Sequence, residues 1–195
     1  SFKVSGSALT VGMWVKRPTT GGVGKTQNVL MHGTSRDTRD YWLSAGDEFF
    51  DYGVEIDPYF FGIRTSSGMK AASVQTTAEA DTWEFIVGTY DGTHIKIYRN
   101  GALEHAVSQT GNIMGVDEAL QIGAGYAPAD TFFFDGSVGL PFVAAEAYSA
   151  DQIEAIYDKT NQWFLAEAKN TIQGTSSAAT EVACDNHETN CYVAT

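Results

Sequence analysis

The stretch Trp83–Leu103 reads WEFIVGTYDGTHIKIYRNGAL and leaves this part of the chain few alternatives. Two runs, Glu84–Tyr90 and His94–Arg99, alternate with the two-residue period of a strand. Phe85, Val87 and Thr89 share one face of the first run, and Ile86, Gly88 and Tyr90 the other. On the second run Ile95, Ile97 and Arg99 stand opposite Lys96 and Tyr98. Asp91-Gly92 separates the runs and Asn100-Gly101 follows the second. Both dipeptides tolerate the positive φ angles of tight hairpin turns, so each marks a reversal between paired strands. The stretch is therefore read as a three-stranded antiparallel meander.

The remainder supplies further strands. Ala8–Arg17 alternates around Trp14, Asn28–His32 and Tyr41–Leu43 follow, and Gly53–Ile56 with Tyr59–Arg64 reads as a hairpin broken at Asp57-Pro58. Ala72–Thr76 has the polarity of an edge strand. After the meander come His105–Gln109, Leu120–Gly123, Thr131–Phe134 and Val138–Ala144, where Pro141 marks an edge or a bulge. The chain opens on Ser1-Phe2-Lys3-Val4, which reads as a short strand and as a start inside something longer. At Ser149 the period changes. Ser149-Ala150-Asp151-Gln152 is a capping box, and Ile153, Ile156 and Tyr157 continue at helical spacing, so one helix is expected over 150–165. Residues 170–180 form a linker of small polar residues. TEVACD and NCYVAT then form a hairpin tail over 181–195, with Cys184 and Cys191 either bridged or two free thiols. A length of 195 residues, 43% hydrophobic with 20 glycines against 4 prolines, suits one turn-rich sandwich over 1–169 plus this tail.

Two groups of residues carry a resemblance. The first is Trp83, Val87-Gly88-Thr89-Tyr90-Asp91-Gly92-Thr93, Ile97-Tyr98 and Asn100-Gly101. The second is Phe134-Asp135-Gly136-Ser137-Val138 followed by Ala147-Tyr148-Ser149-Ala150-Asp151-Gln152-Ile153. In this order they resemble the central hairpin, closing strand and short helix of the laminin-G-like, concanavalin A-like lectin/glucanase domains, over residues 8–160. The resemblance implies an all-β antiparallel jelly-roll sandwich with one short C-terminal helix. It names no ligand, because the fold hosts lectins, hydrolases, adhesion modules and spacers. Against a full domain of this kind, the first strand is short or missing.

Several chemistries are excluded. The formal net charge of −12 repels phosphate backbones, which argues against nucleic acid. No apolar run approaches the ~20 residues of a membrane span. Thr20–Thr26, TGGVGKT, lacks the leading glycine of a P-loop, because position 19 is Thr. Glu55-Ile56-Asp57 begins the E-x-D-x-x-E triad of glucanases with this fold, but Phe60 stands where the acid/base carboxylate belongs. Without that proton donor retaining hydrolysis fails, and the chain is read as non-enzymatic. His32, His94, His105 and His187 show no metal-ligand spacing.

What remains is recognition. Exposed aromatic rings stack on the C–H faces of sugars while carboxylates and amides read hydroxyls, so Tyr41, Trp42, Asp47, Tyr59 and Tyr126 are the candidate ligand-binding residues. Trp42 and Tyr59 are the first choices for exposure. Ca²⁺ is the candidate cation, with Asp37, Asp40, Asp47 and Asp51 as oxygen ligands. The acidic pair that many relatives carry after the Gly-Ser of the closing strand is absent from Gly136-Ser137-Val138-Gly139-Leu140. The leading expectation is a non-catalytic glycan-recognition or adhesion module, extracellular or on a virion surface. The alternative is a structural decoration, fibre or filament subunit acting through neighbouring protein subunits, as in a homo-oligomer.

Overall fold

The computed structural model describes residues 2–18, 27–35, 38–46, 48–49, 54–55, 59–76, 79–125, 133–164, 181–184 and 191–194. In chain order its strands begin with β1 (Leu9–Lys16), β2 (Gln27–His32), β3 (Tyr41–Ala45), β4 (Glu48–Phe49) and β5 (Val54–Glu55). Next come β6 (Tyr59–Thr65), β7 (Gly68–Ser73), β8 (Trp83–Tyr90), β9 (His94–Arg99) and β10 (Ala102–Ser108). β11 (Leu120–Ile122) and β12 (Ser137–Ala144) precede the helix α1 (Ala150–Thr160), and β13 (Glu181–Cys184) and β14 (Cys191–Ala194) close the chain. The chain divides into two compact units, Ser1–Asn161 and Gln162–Thr195.

The first unit is a sandwich of two five-stranded sheets, ordered β10-β9-β8-β1-β12 and β11-β2-β3-β6-β7. Every pairing in both sheets is antiparallel. Alternate residues of each strand point inward. Leu9, Val11, Met13 and Val15 of β1, with Ile86, Tyr90, Ile95 and Ile97, meet Leu30, Tyr41, Leu43, Phe61 and Ile63 of the facing sheet. Each large apolar side chain buried in this way contributes about 1.5–3 kcal/mol.

The meander forms where the alternation places it. Asn100 and Gly101 have φ of 51° and 84°, the two positive angles a type I′ hairpin requires. At the other turn the Asp91 carboxylate accepts hydrogen bonds from the Thr93 and His94 backbone N–H groups at 2.9 and 2.8 Å, and from Lys96 Nζ at 2.8 Å.

α1 covers the outward face of the first sheet. The Trp14 ring stands 5.3 Å from Phe85 and 5.7 Å from Tyr157, and Trp14 Nε1–H donates to Thr160 Oγ1 at 3.0 Å. The capping box is complete, with Ser149 and Gln152 bonding reciprocally. The helix ends at Thr160 and continues as a 3₁₀ turn, Asn161–Trp163. β12 is an edge strand, as Pro141 implies, and so is β7, which runs over Gly68–Ser73 and shares only Ala72 and Ser73 with the edge strand expected over 72–76. On β12, Leu140 and Pro141 together face the single residue Met13, a bulge in which Leu140 has φ 47°.

Three expectations are corrected. Residues 2–5 form no strand, although Val4 is buried in the core and Phe2 O accepts from the Tyr41 hydroxyl at 2.8 Å. Val54–Glu55 does not pair with Tyr59–Arg64. β5 pairs with β4, while β6 lies between β3 and β7, because that position buries Phe61 and Ile63 in the core. Phe133 and Phe134 belong to no strand, though the Phe134 N–H bonds Gly123 O at 3.0 Å. In the second unit β13 and β14 pair antiparallel with Cys184 directly opposite Cys191. The linker over 170–180 lies outside the described residues. No described helix is long and apolar enough to cross a membrane.

Candidate functional site

The site is built by strand parity. Along β3 and β6 neighbouring side chains point to opposite faces, so Tyr41, Leu43, Tyr59, Phe61 and Ile63 enter the core. Trp42, Ser44, Phe60 and Gly62 therefore point away from it. The registers align Gln121, Met31, Trp42, Gly62 and Ala71 in one row across the outward face of the second sheet. A second row holds Asn28, Ser44, Phe60 and Ser73.

The indole of Trp42 lies flat on this face because position 62 is glycine. A Cβ there would stand 2.1 Å from Trp42 Cζ2, well inside van der Waals contact. The Arg39 guanidinium lies over the ring, 3.9 Å from its centroid. Met31 and Phe60 pack with Trp42, flanked by Met69 and Ala71. Ser44 Oγ donates to Asn28 Oδ1 at 2.8 Å.

Among the described residues, three side chains that the sheet itself sends to this face each bury one polar atom without a hydrogen-bond partner: Asn28 Nδ2, Trp42 Nε1 and Gln121 Oε1. Each such atom costs about 1–3 kcal/mol when left unsatisfied, and native proteins hold few of them. Two donors and one acceptor, the indole N–H among them, therefore share one sheet face.

The sequence-derived candidates scatter. Tyr41 and Tyr59 are fully buried between the sheets, so the expectation that they stack on a ligand is corrected by strand parity. Burial, then the neighbouring Asp40, raises the Tyr41 phenol, and burial with Glu84 raises that of Tyr59. Trp42 is on the outward face but, against expectation, has no exposed surface, because Arg39 and its neighbours shield it. Asp40 is also fully buried. One carboxylate oxygen lies 2.7 Å from His32 Nδ1 and the other accepts the Val116 N–H at 3.1 Å, so it anchors loops and is not open to Ca²⁺. Asp37, Asp47, Asp51 and Tyr126 lie outside the described residues. Among the described residues no group of three or more His, Cys, Asp or Glu is arranged to hold a metal.

Asn28 and Gln121 escape sequence reasoning because their neighbours Ser44 and Met31 are brought by other strands. Gly62, isolated inside a strand, was the available signal for close approach of another group.

A second feature is a cleft of about 240 Å³ at the sandwich rim, lined by Glu79, Thr82, Glu84, Arg99 and Asn100. Its buried groups satisfy one another. Glu84 accepts from the Tyr59 hydroxyl at 3.0 Å and from Arg99 at 3.3 Å, and Arg99 also donates to Glu104 at 3.0 Å and to Thr76. Burial nevertheless raises the Glu84 carboxyl above its ordinary value, against the pull of Tyr59 and two arginines. This network ties β6, β8, β9 and β10 together at one end of the sandwich.

A family model described as the concanavalin A-like lectin/glucanases superfamily matches residues 1–154. No curated protein matches the chain in sequence. Among solved structures, domain 4 of AbnA, a GH43 extracellular arabinanase from Geobacillus stearothermophilus in complex with arabinotriose, is similar at TM-score 0.58 and 17% identity. That alignment covers 79% of this chain and 68% of that one. The native heptameric SAP-like pentraxin of Limulus polyphemus aligns at TM-score 0.59 and 16% identity, over 80% and 71%. The binding domain of botulinum neurotoxin serotype G aligns at TM-score 0.56 and 13% identity, with 82% of this chain spanning 39% of that one. At these identities the likeness is one of fold.

Proposed function

The chain belongs to the concanavalin A-like lectin/glucanases superfamily, and from that premise we propose that it is a non-catalytic carbohydrate-recognition module. The ligand lies across the outward face of the second sheet. One observation carries this reading: the unpartnered, buried Asn28 Nδ2, Trp42 Nε1 and Gln121 Oε1 share the sheet face on which the indole lies flat over Gly62. A sugar offers what such a surface lacks. Its hydroxyls both donate and accept, and its C–H face stacks on an aromatic ring. The same face lacks hydrolytic chemistry at the position where glucanases of this fold keep a carboxylic acid. Phe60 stands there, 3% exposed and packed with Met31 and Trp42. An extracellular setting, on a larger displayed protein, accords with the arabinanase domain whose fold it shares.

The reading is tested by titrating a panel of neutral and acidic oligosaccharides against the protein by calorimetry. Binding of at least one glycan is expected, weakened about tenfold or more by Trp42→Phe, which removes the Nε1 donor. Gly62→Ala is expected to weaken the same glycan and to cost about 1–3 kcal/mol of stability, because the added methyl lifts the indole. Absence of binding at millimolar glycan, or binding indifferent to both substitutions, would remove this face from the function.

A further inference from the structure

We propose that the cleft at the sandwich rim, lined by Glu79, Thr82, Glu84, Arg99 and Asn100, is a second sugar subsite that takes a hexosamine with a free ammonium group. This rests on the carbohydrate reading of the chain and adds a ligand class and a site separate from the Trp42 face. At about 240 Å³ the cleft is smaller than the roughly 300–1,000 Å³ of pockets for drug-sized ligands, so its occupant is no larger than one sugar ring.

The cleft is richer in unused acceptors than in unused donors. Arg99 already donates to Glu84, Glu104 and Thr76. Asn100 Oδ1 accepts the Phe85 N–H at 2.8 Å, which leaves Nδ2 as the amide's donor toward a ligand. Each Glu84 oxygen accepts one bond, from Tyr59 or from Arg99, of the about two it can take. Thr82 donates its hydroxyl hydrogen to Ala80 O at 3.4 Å and keeps its oxygen lone pairs. The Glu79 carboxylate is exposed and has no bond to a described residue. Charge points the same way. Glu79, Glu84 and Glu104 stand against Arg99 and Arg17, so one carboxylate is in surplus, and nearby Asp81 is paired with Lys16 at 2.8 Å. Burial raises the Glu84 carboxyl even against the pull of Tyr59 and both arginines. An ammonium brings such a wall one positive charge and three N–H donors, while ring hydroxyls meet Asn100 Nδ2 and Thr82. Ca²⁺ does not suit it, because two carboxylates beside a guanidinium fall short of the about 6–8 oxygens that ion takes.

The test titrates glucosamine, with its amine charged, into the ¹⁵N-labelled full chain, beside glucose, N-acetylglucosamine and Nα-acetyl-lysine amide. Glucosamine is expected to bind saturably, to move the backbone N–H signals of Thr82, Glu84 and Asn100, and to bind about tenfold tighter than the two uncharged sugars. Glu79→Gln, which breaks no bond to a described residue, is expected to weaken it about two- to fivefold, as for an exposed ion pair. Trp42→Phe is expected to leave it unchanged. Equal binding of glucose overturns the ammonium, and equal binding of the lysine amide overturns the sugar ring. Indifference to Glu79→Gln, or unmoved signals at high millimolar glucosamine, overturns the cleft. Failure here is separable from failure of the Trp42 face. Glycans that respond to Trp42→Phe while glucosamine fails remove the cleft alone, and the reverse pattern keeps the cleft and removes that face.

Discussion

Asp91 is held as a carboxylate by its own turn. Burial pushes it up, but hydrogen bonds from Lys96, Thr93 and two backbone N–H groups outweigh burial and hold it well below the usual carboxylate range. A carboxyl depressed in the folded state contributes stability above its unfolded value of about 3.9, and that contribution fades as pH falls through it toward the folded value. Asp91→Asn is therefore expected to cost about 1 kcal/mol at neutral pH. In urea melts, its gap to the parent should narrow steadily below about pH 4. A gap constant from pH 7 to pH 3 would mean that the charge is not what the turn uses. Glu84 works in the opposite sense, since a carboxyl raised on folding favours the native state more as pH drops. At this scale the turn was legible in the sequence, because every donor to Asp91 lies within five residues of it. The parity of Tyr41-Trp42-Leu43 was not. Three large apolar residues in succession carry no polar marker for the outward side, so the outward Trp42 and the inward Tyr41 read alike.

α1 shows how far local signals reach. Its capping box and partly apolar face are written within one short segment and the structure reproduces them, whereas the α-helix stops at Thr160, short of the end expected at 165. Ser149→Ala removes the oxygen that accepts the Gln152 N–H and is expected to cost about 1 kcal/mol. The loss should be read by denaturant melting with an unchanged slope, since the exposed surface is the same in both proteins. A neutral substitution would mean that packing of Tyr157 on Trp14 alone holds the helix. The strands of the second sheet were less legible. Asp57-Pro58 is a sound turn signal, but it does not say which partner the chain meets next. β6 is placed between β3 and β7 by burial across the sandwich, an effect that no window of neighbouring residues contains.

At the scale of the molecule, the first compact unit ends at Asn161 and contains both sheets and α1. A chain ending at residue 164 is expected to fold with the parent's thermal midpoint, checked by calorimetry. A drop of more than about 4 °C would exceed a 1 kcal/mol loss for a domain of this size and would show that the second unit contributes to the first. The two sides of the sandwich are finished differently. On one, β7 and β10 lie together, with Lys70 Nζ donating to Ser108 O at 2.9 Å. On the other, β12 ends the sheet with Pro141, which has no N–H, beside a left-handed Leu140. That border offers an approaching strand no continuous ladder to extend. Two copies of the chain that meet along β12 therefore cannot join those two sheets into one.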